Sequence, residues 1–230
     1  MLAERSLQEE QMDAAELDPA VYARVLRDLA KVNRITLAHR ATLNFLDRVH
    51  VRHPAKTIRI LDVGYGEGDL LRSIGKHAAK RGMRVELTGI DLNPKSVATA
   101  QAATPQSMNI RYLSGDYAGL AGEGWDVILS SLVAHHMSHD QLIAFLRFME
   151  SEAAMGWHIN DLHRHGFAYM GYPLLARLMG WHRIVREDGR LSIARSYRPD
   201  EWPPLLAEAG TTAAKAVRVF PFRLCVERFR

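Results

Sequence analysis

Three glycines, Gly64, Gly66 and Gly68, separate a short apolar run from a helical stretch and indicate the fold class of the chain. The apolar run is 58–63, and the helical stretch begins at Asp69. Glycine permits left-handed backbone turns and removes the side chain that would keep a ligand away from the backbone. A buried strand, a glycine loop and a helix in direct succession predict an α/β fold with a ligand site at the loop.

The same alternation of apolar runs and helical segments continues along the chain. Further strands are predicted at 85–90, 110–114, 125–130 and 157–160, with two extended segments around Pro221 near the C-terminus. Helices are predicted between these strands at 69–80, 94–103 and 140–153. Strands that alternate with helices of about ten to fifteen residues indicate βαβ units and a parallel sheet with helices on both faces.

Helical segments precede the first strand, and we expect residues 1–55 to form a helical lid. The pair Asp18-Pro19 predicts a helix start, because aspartate caps helices and proline is tolerated at the first helical position. A second helix is predicted over 34–49. The first sixteen residues are polar and show no strong period, which predicts a frayed or loosely helical start.

Residues 56–230 are expected to form one core domain, in which 162–198 is an inserted cover over the active site. Within this cover, 167–179 predicts a helix, and the arginine-rich stretch 181–198 predicts irregular structure. The aromatic and apolar residues between Phe167 and Leu174 are expected either to pack in the core or to line an apolar pocket.

Composition excludes several classes of protein. The 230 residues carry a formal net charge of +4, too little to require nucleic acid or a membrane surface as a partner. The single cysteine, Cys225, excludes an internal disulfide framework and a cysteine-based zinc site. No apolar stretch reaches about 18 residues, so we expect no membrane insertion. The N-terminal residues are polar and acidic, so we expect no secretory signal and a cytoplasmic location.

Acidic residues accompany the glycine loop and the ends of the next two predicted strands. Asp62 and Glu67 flank the loop, Asp91 ends the second strand, and Asp116 follows the third. The loop has the spacing G-x-G-x-G rather than the G-x-G-x-x-G of dinucleotide-binding proteins, and its carboxylates would repel a pyrophosphate. Either Asp91 or Asp116 alone is also typical of a helix cap or turn. Taken in order after three strands, these residues predict a ligand site at the carboxyl edge of the sheet.

The chain resembles the class I S-adenosylmethionine-dependent methyltransferases in four places. These are the segment 61–68, Asp91, Asp116 with its preceding glycine, and the strand motif 125–129. The resemblance implies a Rossmann-like seven-stranded sheet in the order 3-2-1-4-5-7-6, with strand 7 antiparallel. It also implies S-adenosyl-L-methionine as cofactor and S-adenosyl-L-homocysteine as product. Tyr65 departs from the family, which often has a small residue or cysteine there. We expect its ring to narrow the methionine pocket or stack over it.

This resemblance also implies roles for individual residues. The loop glycines would approach the methionine part of the cofactor, Asp91 would hold the ribose hydroxyls, and Asp116 with Tyr117 would meet the adenine. Arg40 would either meet the methionine carboxylate or remain solvated. The complete set of expected cofactor-binding residues is Asp62, Gly64, Gly66, Gly68, Asp91, Leu92, Asp116, Tyr117, Ser131 and Arg40.

Two histidine-bearing loops are expected to hold the acceptor. His135 and His136 follow the fourth strand, and Asp161, His163 and His165 follow the fifth. A histidine with a pKa near neutrality is suited to remove a proton from an acceptor hydroxyl. Adjacent side chains point in different directions, so we expect only one of His135 and His136 to face the acceptor. His135 is the first candidate base, with Asp161 orienting it, and His165 is the next. The spacing of these residues matches no known ligand motif, so no metal is expected.

These observations predict methyl transfer to a hydroxyl, or an activated carbon, of a small aromatic or polyketide-like acceptor. The His-His pair resembles the ubiquinone-type and polyketide-associated branch of the family, which implies secondary metabolism. Nucleic-acid or protein methylation is an alternative, although Ser130-Ser131-Leu132 stands where amino-methylating DNA enzymes carry an Asn/Asp-Pro-Pro-Tyr motif. A non-catalytic cofactor-binding module is a further alternative. The expected partner is a small molecule rather than nucleic acid or a membrane, and a homodimer is left open.

Overall fold

A seven-stranded sheet forms the centre of the molecule, which we describe from a computed structural model for residues 2–14 and 16–230. The strands are β1 (Thr57–Val63), β2 (Arg84–Asp91), β3 (Ile110–Ser114), β4 (Val127–Ser131), β5 (Gly156–Leu162), β6 (Lys215–Val219) and β7 (Arg223–Phe229). Their order in the sheet is β3-β2-β1-β4-β5-β7-β6. β7 runs antiparallel to β5 and β6, and the other neighbours are parallel. The predicted strand order and the antiparallel seventh strand are confirmed.

Helices surround the sheet on both faces and at its carboxyl edge. In chain order they are α1 (Pro19–Ile35), α2 (Arg40–Arg52), α3 (Asp69–Arg81), α4 (Lys95–Ala103), α5 (His139–Glu152), α6 (Gly166–Leu178), α7 (Arg183–Arg195) and α8 (Trp202–Ala209). The helices predicted between the strands are confirmed, with ends that differ by one or two residues. Short 3₁₀ turns lie between some of these elements.

Each face of the sheet is covered by its own apolar core. Leu61 and Ile128 belong to the core that contains Phe145 of α5 and Trp202 of α8. Their strand neighbours alternate to the opposite face, where a second core includes Phe45 of α2 together with residues of α3. Burial on both faces explains why the central strands read as continuous apolar runs rather than as alternating patterns.

The second helix packs on this core, whereas α1 packs through Val25 and Val32 on a separate cluster that contains Ile184 of α7. Asp18 caps α1 as predicted, since its side chain accepts hydrogen bonds from the backbone N–H groups of Ala20 and Val21 at 2.8 and 3.1 Å. The second helix begins at Arg40 rather than at residue 34, because α1 continues to Ile35 and the chain then turns sharply.

Residues 2–14, which we call the N-terminal strap, are not the loosely helical start that their sequence predicts. The strap is mostly extended, with one 3₁₀ turn at Gln11–Asp13, and it runs along α7. The backbone N–H of Ser6 donates to the carbonyl of Ala194 at 3.0 Å. Arg5 donates through Nε to the carbonyl of Arg195 at 2.6 Å. The segment is ordered by contacts with distant residues, which its own periodicity does not show.

The prediction of irregular structure over 181–198 is wrong, since most of this stretch forms α7. The buried face of α7 carries polar residues as well as apolar ones, and this disguises the helical period. Asp188 accepts the backbone N–H groups of the strap residues Gln11 and Met12 at 3.2 and 2.9 Å. Gly189 lies against the ring of Tyr172 in α6, where any side chain would overlap that ring. Close packing of α6 on α7 therefore explains a glycine inside a helix.

Within the described part of the chain, none of the helices combines the length and the apolar character that crossing a membrane requires.

Candidate active site

A cavity of about 830 Å³ opens at the carboxyl edge of the central strands. The loops that follow β1 to β4 form one side of its wall, and residues of α1, α6 and α7 form the other. In open α/β sheets this edge is where ligands bind. Tyr22, Leu26 and Asn33 of α1 contribute to the wall, so the N-terminal helices lie beside the glycine loop. Whether they act as a lid stays a prediction.

The three loop glycines have different structural roles. All three adopt the left-handed region, with φ of 79° at Gly64, 56° at Gly66 and 76° at Gly68. A Cβ at Gly64 would overlap the side chain of Val133, and one at Gly68 would lie 2.5 Å from the hydroxyl of Tyr112. Gly66 has more room and lines the cavity together with Gly64, whereas Gly68 lies behind the wall at the start of α3. The backbone at Gly64 and Gly66 is therefore open to a ligand.

Two acidic side chains, those of Asp62 and Asp91, lie next to the glycine loop. Asp62 is 1% exposed, and its Oδ1 has no hydrogen-bond partner among the described residues. Burial, together with the charges of Asp69 and Asp91, raises the pKa of Asp62 to about 8. Asp91 accepts the backbone N–H of Gly66 through Oδ2 and that of Asn93 through Oδ1, each at 2.9 Å. Its pKa is also raised by burial, against the effect of these hydrogen bonds.

The other predicted cofactor residues continue around the same wall. Asp116 is exposed and caps the following turn by accepting the backbone N–H of Ala118 at 2.9 Å. The ring of Tyr117 packs on Phe145 and Phe148, with centroid separations of 4.9 and 4.8 Å. Leu92 and Ser131 line the cavity as well.

Tyr65 lies in the cavity wall, although its ring turns into the core, and whether it narrows the methionine pocket or stacks over it stays a prediction. The ring stands 4.9 Å from that of Tyr112, measured between centroids. It also covers Gly89 of β2, where a Cβ would lie 2.6 Å from Cδ1 of Tyr65. The tyrosine is therefore accommodated by a glycine on the neighbouring strand.

Arg40 lies on the exposed surface at the start of α2 and is not part of the cavity wall. A different arginine reaches the cavity: Arg223 of β7 is 3% exposed and lines the wall. It donates through Nη2 to Oγ1 of Thr36 at 3.2 Å, and its Nη1 has no partner among the described residues. Its position next to the strand-5 loop depends on the antiparallel β5–β7 pairing, so nothing local to its sequence signals it.

His135 and Asp161 form a buried pair at the opposite end of the cavity. Nδ1 of His135 lies 2.7 Å from Oδ1 of Asp161, and the backbone N–H of His135 donates to Oδ2 at 2.9 Å. Asp161 therefore orients His135 in the way the sequence suggests. His163 lines the cavity, whereas His165 lies outside the wall and accepts the backbone N–H of Phe167 at 3.3 Å.

Whether only one of His135 and His136 faces the acceptor stays a prediction, since both residues border the cavity. Both rings line it, with centroids 4.3 Å apart, because the two residues share the 3₁₀ turn Ala134–His136. Nδ1 of His136 lies 2.9 Å from a carboxylate oxygen of Asp13 in the N-terminal strap. The turn thus directs two imidazoles towards the same region.

Glu10 of the strap meets both histidines and has no counterpart in the sequence analysis. Its Oε1 lies 3.5 Å from Nε2 of His135 and 3.8 Å from Nε2 of His136. Burial lowers the pKa of His135, but the carboxylates of Asp161 and Glu10 outweigh it and raise that pKa to about 9. This arrangement favours a positively charged ring, whereas the sequence interpretation assumes a neutral base.

An apolar wall completes the end of the cavity near the histidines. Its members come from the histidine loop, α6, α7 and the turn before β7: Met137, Phe167, Tyr172, Leu175, Ile184, Val185 and Phe222. Met170 and Leu174, by contrast, point to solvent and are 79% and 74% exposed. Part of the apolar stretch in α6 therefore belongs neither to the core nor to the pocket.

Comparison with known proteins shows which domain and which solved structures this chain is similar to. Residues 60–151 match the family described as methyltransferase domain. No curated protein matches the chain by sequence. Among solved structures, the plantazolicin methyltransferase BamL, in complex with a triazolic desmethylPZN analogue and SAH, is 15% identical. The match covers 86% of this chain and 71% of that chain, with a TM-score of 0.64.

Two further structures with the same fold have other substrates in their names. Magnesium protoporphyrin IX methyltransferase (ChlM) from Synechocystis PCC 6803, with bound SAH, is 18% identical. The match covers 84% of each chain, with a TM-score of 0.56. Human N-acetylserotonin methyltransferase (ASMT), in complex with SAM, is 16% identical. Here the match covers 99% of this chain and 63% of that chain, with a TM-score of 0.66.

The methyltransferase domain matched over residues 60–151 and the strand order of the sheet identify an S-adenosylmethionine-dependent methyltransferase with the Rossmann-like fold of class I. Enzymes of this class use S-adenosylmethionine as methyl donor, so the expected class of enzyme and its cofactor are confirmed. The residues also fit this cofactor, because Asp62 has a buried carboxyl oxygen without a partner among the described residues, and Gly66 leaves room for a ligand at the cavity wall. The individual roles of the site residues stay predictions.

Proposed function

We propose that the chain transfers a methyl group from S-adenosylmethionine to a hydroxyl oxygen, or an activated carbon, of a small and largely apolar acceptor, aromatic or polyketide-like in character. One observation carries the proposal: a single cavity reaches from Gly66 and Asp91 at one end to His135 and His136 at the other. Its volume of about 830 Å³ lies in the range of pockets that hold drug-sized ligands.

At one end of the cavity, the glycine loop and the carboxylates would hold the cofactor. Asp91 would accept hydrogen bonds from the ribose hydroxyls, and Asp62 would face the methionine part. When bound, the cofactor supplies an electrophilic methyl group on a sulfonium. The task left to the protein is alignment of the acceptor with that methyl group and control of the acceptor proton.

At the other end, the apolar wall and the histidine turn would hold the acceptor. Side chains such as Tyr172 and Ile184 favour an apolar body, and His135, oriented by Asp161, would meet the acceptor oxygen. In support, the structurally similar enzymes are named for small-molecule substrates: plantazolicin analogues, magnesium protoporphyrin IX and N-acetylserotonin. The proposal includes a place in secondary metabolism in the cytoplasm, and a homodimer is compatible with it.

Nucleic-acid methylation is less well supported. The chain carries a net charge of only +4, and nucleic-acid binding draws largely on basic surface charge. The single cysteine, Cys225, is buried in β7 and pairs in the sheet with Asn160, so it is not placed to attack a base at the end of β4. A non-catalytic module would not require the acidic and imidazole groups that line the acceptor end.

Calorimetry with S-adenosylhomocysteine tests the cofactor part of the proposal, and a methyl-transfer screen over phenols and carboxylic acids, read by mass spectrometry, tests the acceptor part. We expect saturable binding with one site per chain, and methylated product from an apolar phenol. The Lys76→Ala variant on the exposed side of α3 serves as a matched control. Absence of binding would overturn the proposal, and binding without any methylated product would favour the non-catalytic module.

A further inference from the structure

Glu10, His135 and His136 point their terminal atoms at one place in the cavity wall. One potential ligand atom from each residue lies within 4.8 Å of the others. Glu10 comes from the N-terminal strap and both histidines come from the turn after β4, so distant parts of the chain build this cluster. None of the three is engaged by the residues that would bind the cofactor.

Each imidazole is held by a second carboxylate on its other nitrogen. Asp161 lies 2.7 Å from Nδ1 of His135, and Asp13 lies 2.9 Å from Nδ1 of His136. When a metal ion displaces the second proton of such a ring, the carboxylate on Nδ1 keeps the remaining proton there and leaves the lone pair of Nε2 for the ion. This is the arrangement that accompanies metal-binding histidines, in which outer carboxylates fix the tautomer and the ring orientation.

The position of Nε2 in His135 gives a second, independent indication. His135 is 2% exposed, and its Nε2 has no hydrogen-bond partner among the described residues. The separations of 3.5 and 3.8 Å from Oε1 of Glu10 are longer than ordinary hydrogen bonds. They are close to the separation of roughly 3.3 Å between ligand atoms that each lie about 2.0–2.1 Å from a tetrahedral ion.

Carboxylates and a guanidinium group both lie around the cluster. Glu10, Asp13 and Asp161 contribute three carboxylates, and Arg195 contributes one guanidinium, with Nε 3.9 Å from Oε1 of Glu10. Arg195 also donates to the carbonyl of His135 at 3.2 Å, so it supports the turn itself.

We propose that Glu10, His135 and His136 form a site for a divalent transition-metal ion, with Zn²⁺ as the first candidate. Two imidazoles and one carboxylate suit Zn²⁺ and related ions, and three protein ligands leave a fourth coordination position. All three ligands line the cavity, so that position faces the acceptor end. The metal site stands on its own geometry. With the ion bound, Nε2 of His135 is a ligand and does not act as a base, and a role for the fourth position in binding an acceptor oxygen rests on the proposed function.

The sequence analysis expects no metal because it considers His135, His163, His165 and Asp161, which match no ligand spacing. The proposed set differs from that one. Asp161 serves as an outer partner of His135, and the carboxylate ligand comes from the N-terminal strap. Oε1 of Glu10 also accepts the hydroxyl of Ser192 at 2.8 Å, which fixes the carboxylate in the wall.

Metal titration of the full chain, freed of any purification tag and dialysed against a chelator, tests the site. We expect calorimetry to show one Zn²⁺ per chain, and Co²⁺ to give the visible absorption of a tetrahedral complex. Asp13→Asn should weaken binding by about 10–100-fold, the usual effect of removing an outer partner. His136→Ala, at a partly exposed ligand, and Glu10→Gln should weaken it further. His139→Ala, at an exposed histidine that pairs with Glu208, is the matched control and should bind normally.

Two results would overturn the metal site: no stoichiometric binding of Zn²⁺ to the parent chain, or equal affinity in the parent and in His136→Ala. Circular dichroism and affinity for S-adenosylhomocysteine show that each variant is folded. These readouts separate the two proposals. Metal binding without methyl transfer would count against the proposed function alone, and methyl transfer without metal binding would count against the metal site alone.

Discussion

Asp161 contacts His135 through both carboxylate oxygens: Oδ1 lies 2.7 Å from Nδ1 of the ring, and Oδ2 accepts the backbone N–H at 2.9 Å. The end of β5 thereby fixes both the orientation of the imidazole and the turn that carries it. Nε2 is left as the nitrogen that is directed towards Glu10 and the acceptor end of the cavity. The relationship makes His135 the residue whose replacement should separate catalysis from cofactor binding.

We expect His135→Ala to lower turnover by about 10²–10⁴-fold, the usual contribution of a positioned proton-transfer group. Affinity for S-adenosylhomocysteine should change little, because the glycine loop and Asp91 lie at the other end of the cavity. Steady-state kinetics with a neutral phenol and calorimetry on the same preparation measure both quantities. His165→Ala, outside the cavity wall, is the comparison. Parental turnover in the variants at both 135 and 136 would place proton removal elsewhere.

Asp91→Ala should weaken cofactor binding without unfolding the chain. Charge-assisted hydrogen bonds contribute about 1.5–3 kcal/mol, which corresponds to roughly a ten- to hundred-fold loss in affinity. The carboxylate also accepts the backbone N–H of Gly66, so its loss would loosen the glycine loop. Calorimetry with S-adenosylhomocysteine, alongside circular dichroism, provides the measurement, with Lys76→Ala as control. An unchanged dissociation constant in a folded variant would refute the ribose role of Asp91.

Gly66→Val should reduce affinity for S-adenosylhomocysteine by about tenfold or more. Gly66 has φ of 56°, a conformation that costs a residue with a side chain about 1–2 kcal/mol, and its Cβ would project beside the cavity. Gly122→Val is the matched control, because Gly122 has φ of 76° but lies in an open turn away from the cavity. Both variants should lose stability in urea unfolding, and only Gly66→Val should lose affinity. Equal affinities would remove the loop from the cofactor site.

The parts of the site that follow from the sequence are those encoded by neighbouring residues. Gly64 and Gly66 follow a strand and precede a helix, and Asp91 ends the next strand, so a single βαβ pattern places them at one edge of the sheet. The pairing of His135 with Asp161 follows from the same rule, since β4 and β5 are adjacent and parallel.

What the sequence does not reveal depends on contacts between distant segments. Glu10 lies in a polar stretch without periodicity, and it is buried where the strap packs on α7 and Ser192 donates to it. The buried face of α7 carries polar residues that contact the strap, so the apolar residues of this helix do not show a clear helical period. Arg223 enters the cavity wall through antiparallel pairing of the last strand. The rings of His135 and His136 lie side by side because of a 3₁₀ turn, which the residue pattern does not predict.

Ligand binding should protect the N-terminal helices from proteolysis. Arg24 and Arg27 are exposed on α1, whereas the opposite side of the helix, including Tyr22 and Leu26, lines the cavity. If residues 1–55 close over the cofactor, S-adenosylhomocysteine should slow tryptic cleavage at these arginines. Mass spectrometry of timed digests gives the rates, and cleavage at the exposed Lys76 reports any general effect on the protease. Equal rates at Arg24 and Arg27 with and without ligand would argue against a lid.

The stability of the chain should fall with rising pH in a way that depends on Asp62. Burial, with help from Asp69 and Asp91, raises its pKa to about 8 in the folded state, whereas an aspartate in an unfolded chain titrates near 3.9. The folded state therefore holds the proton more tightly, and the stability linked to that proton is complete below about pH 4 and is lost as the pH rises towards 8. Asp62→Asn removes the titration. The free energy of unfolding of this variant in urea should therefore decline less than that of the parent between about pH 5 and about pH 9, which lie on either side of the folded pKa. Asp140→Asn, at an exposed aspartate, should follow the parent. Parallel pH profiles for the parent and Asp62→Asn would show that Asp62 does not hold a proton in the folded chain.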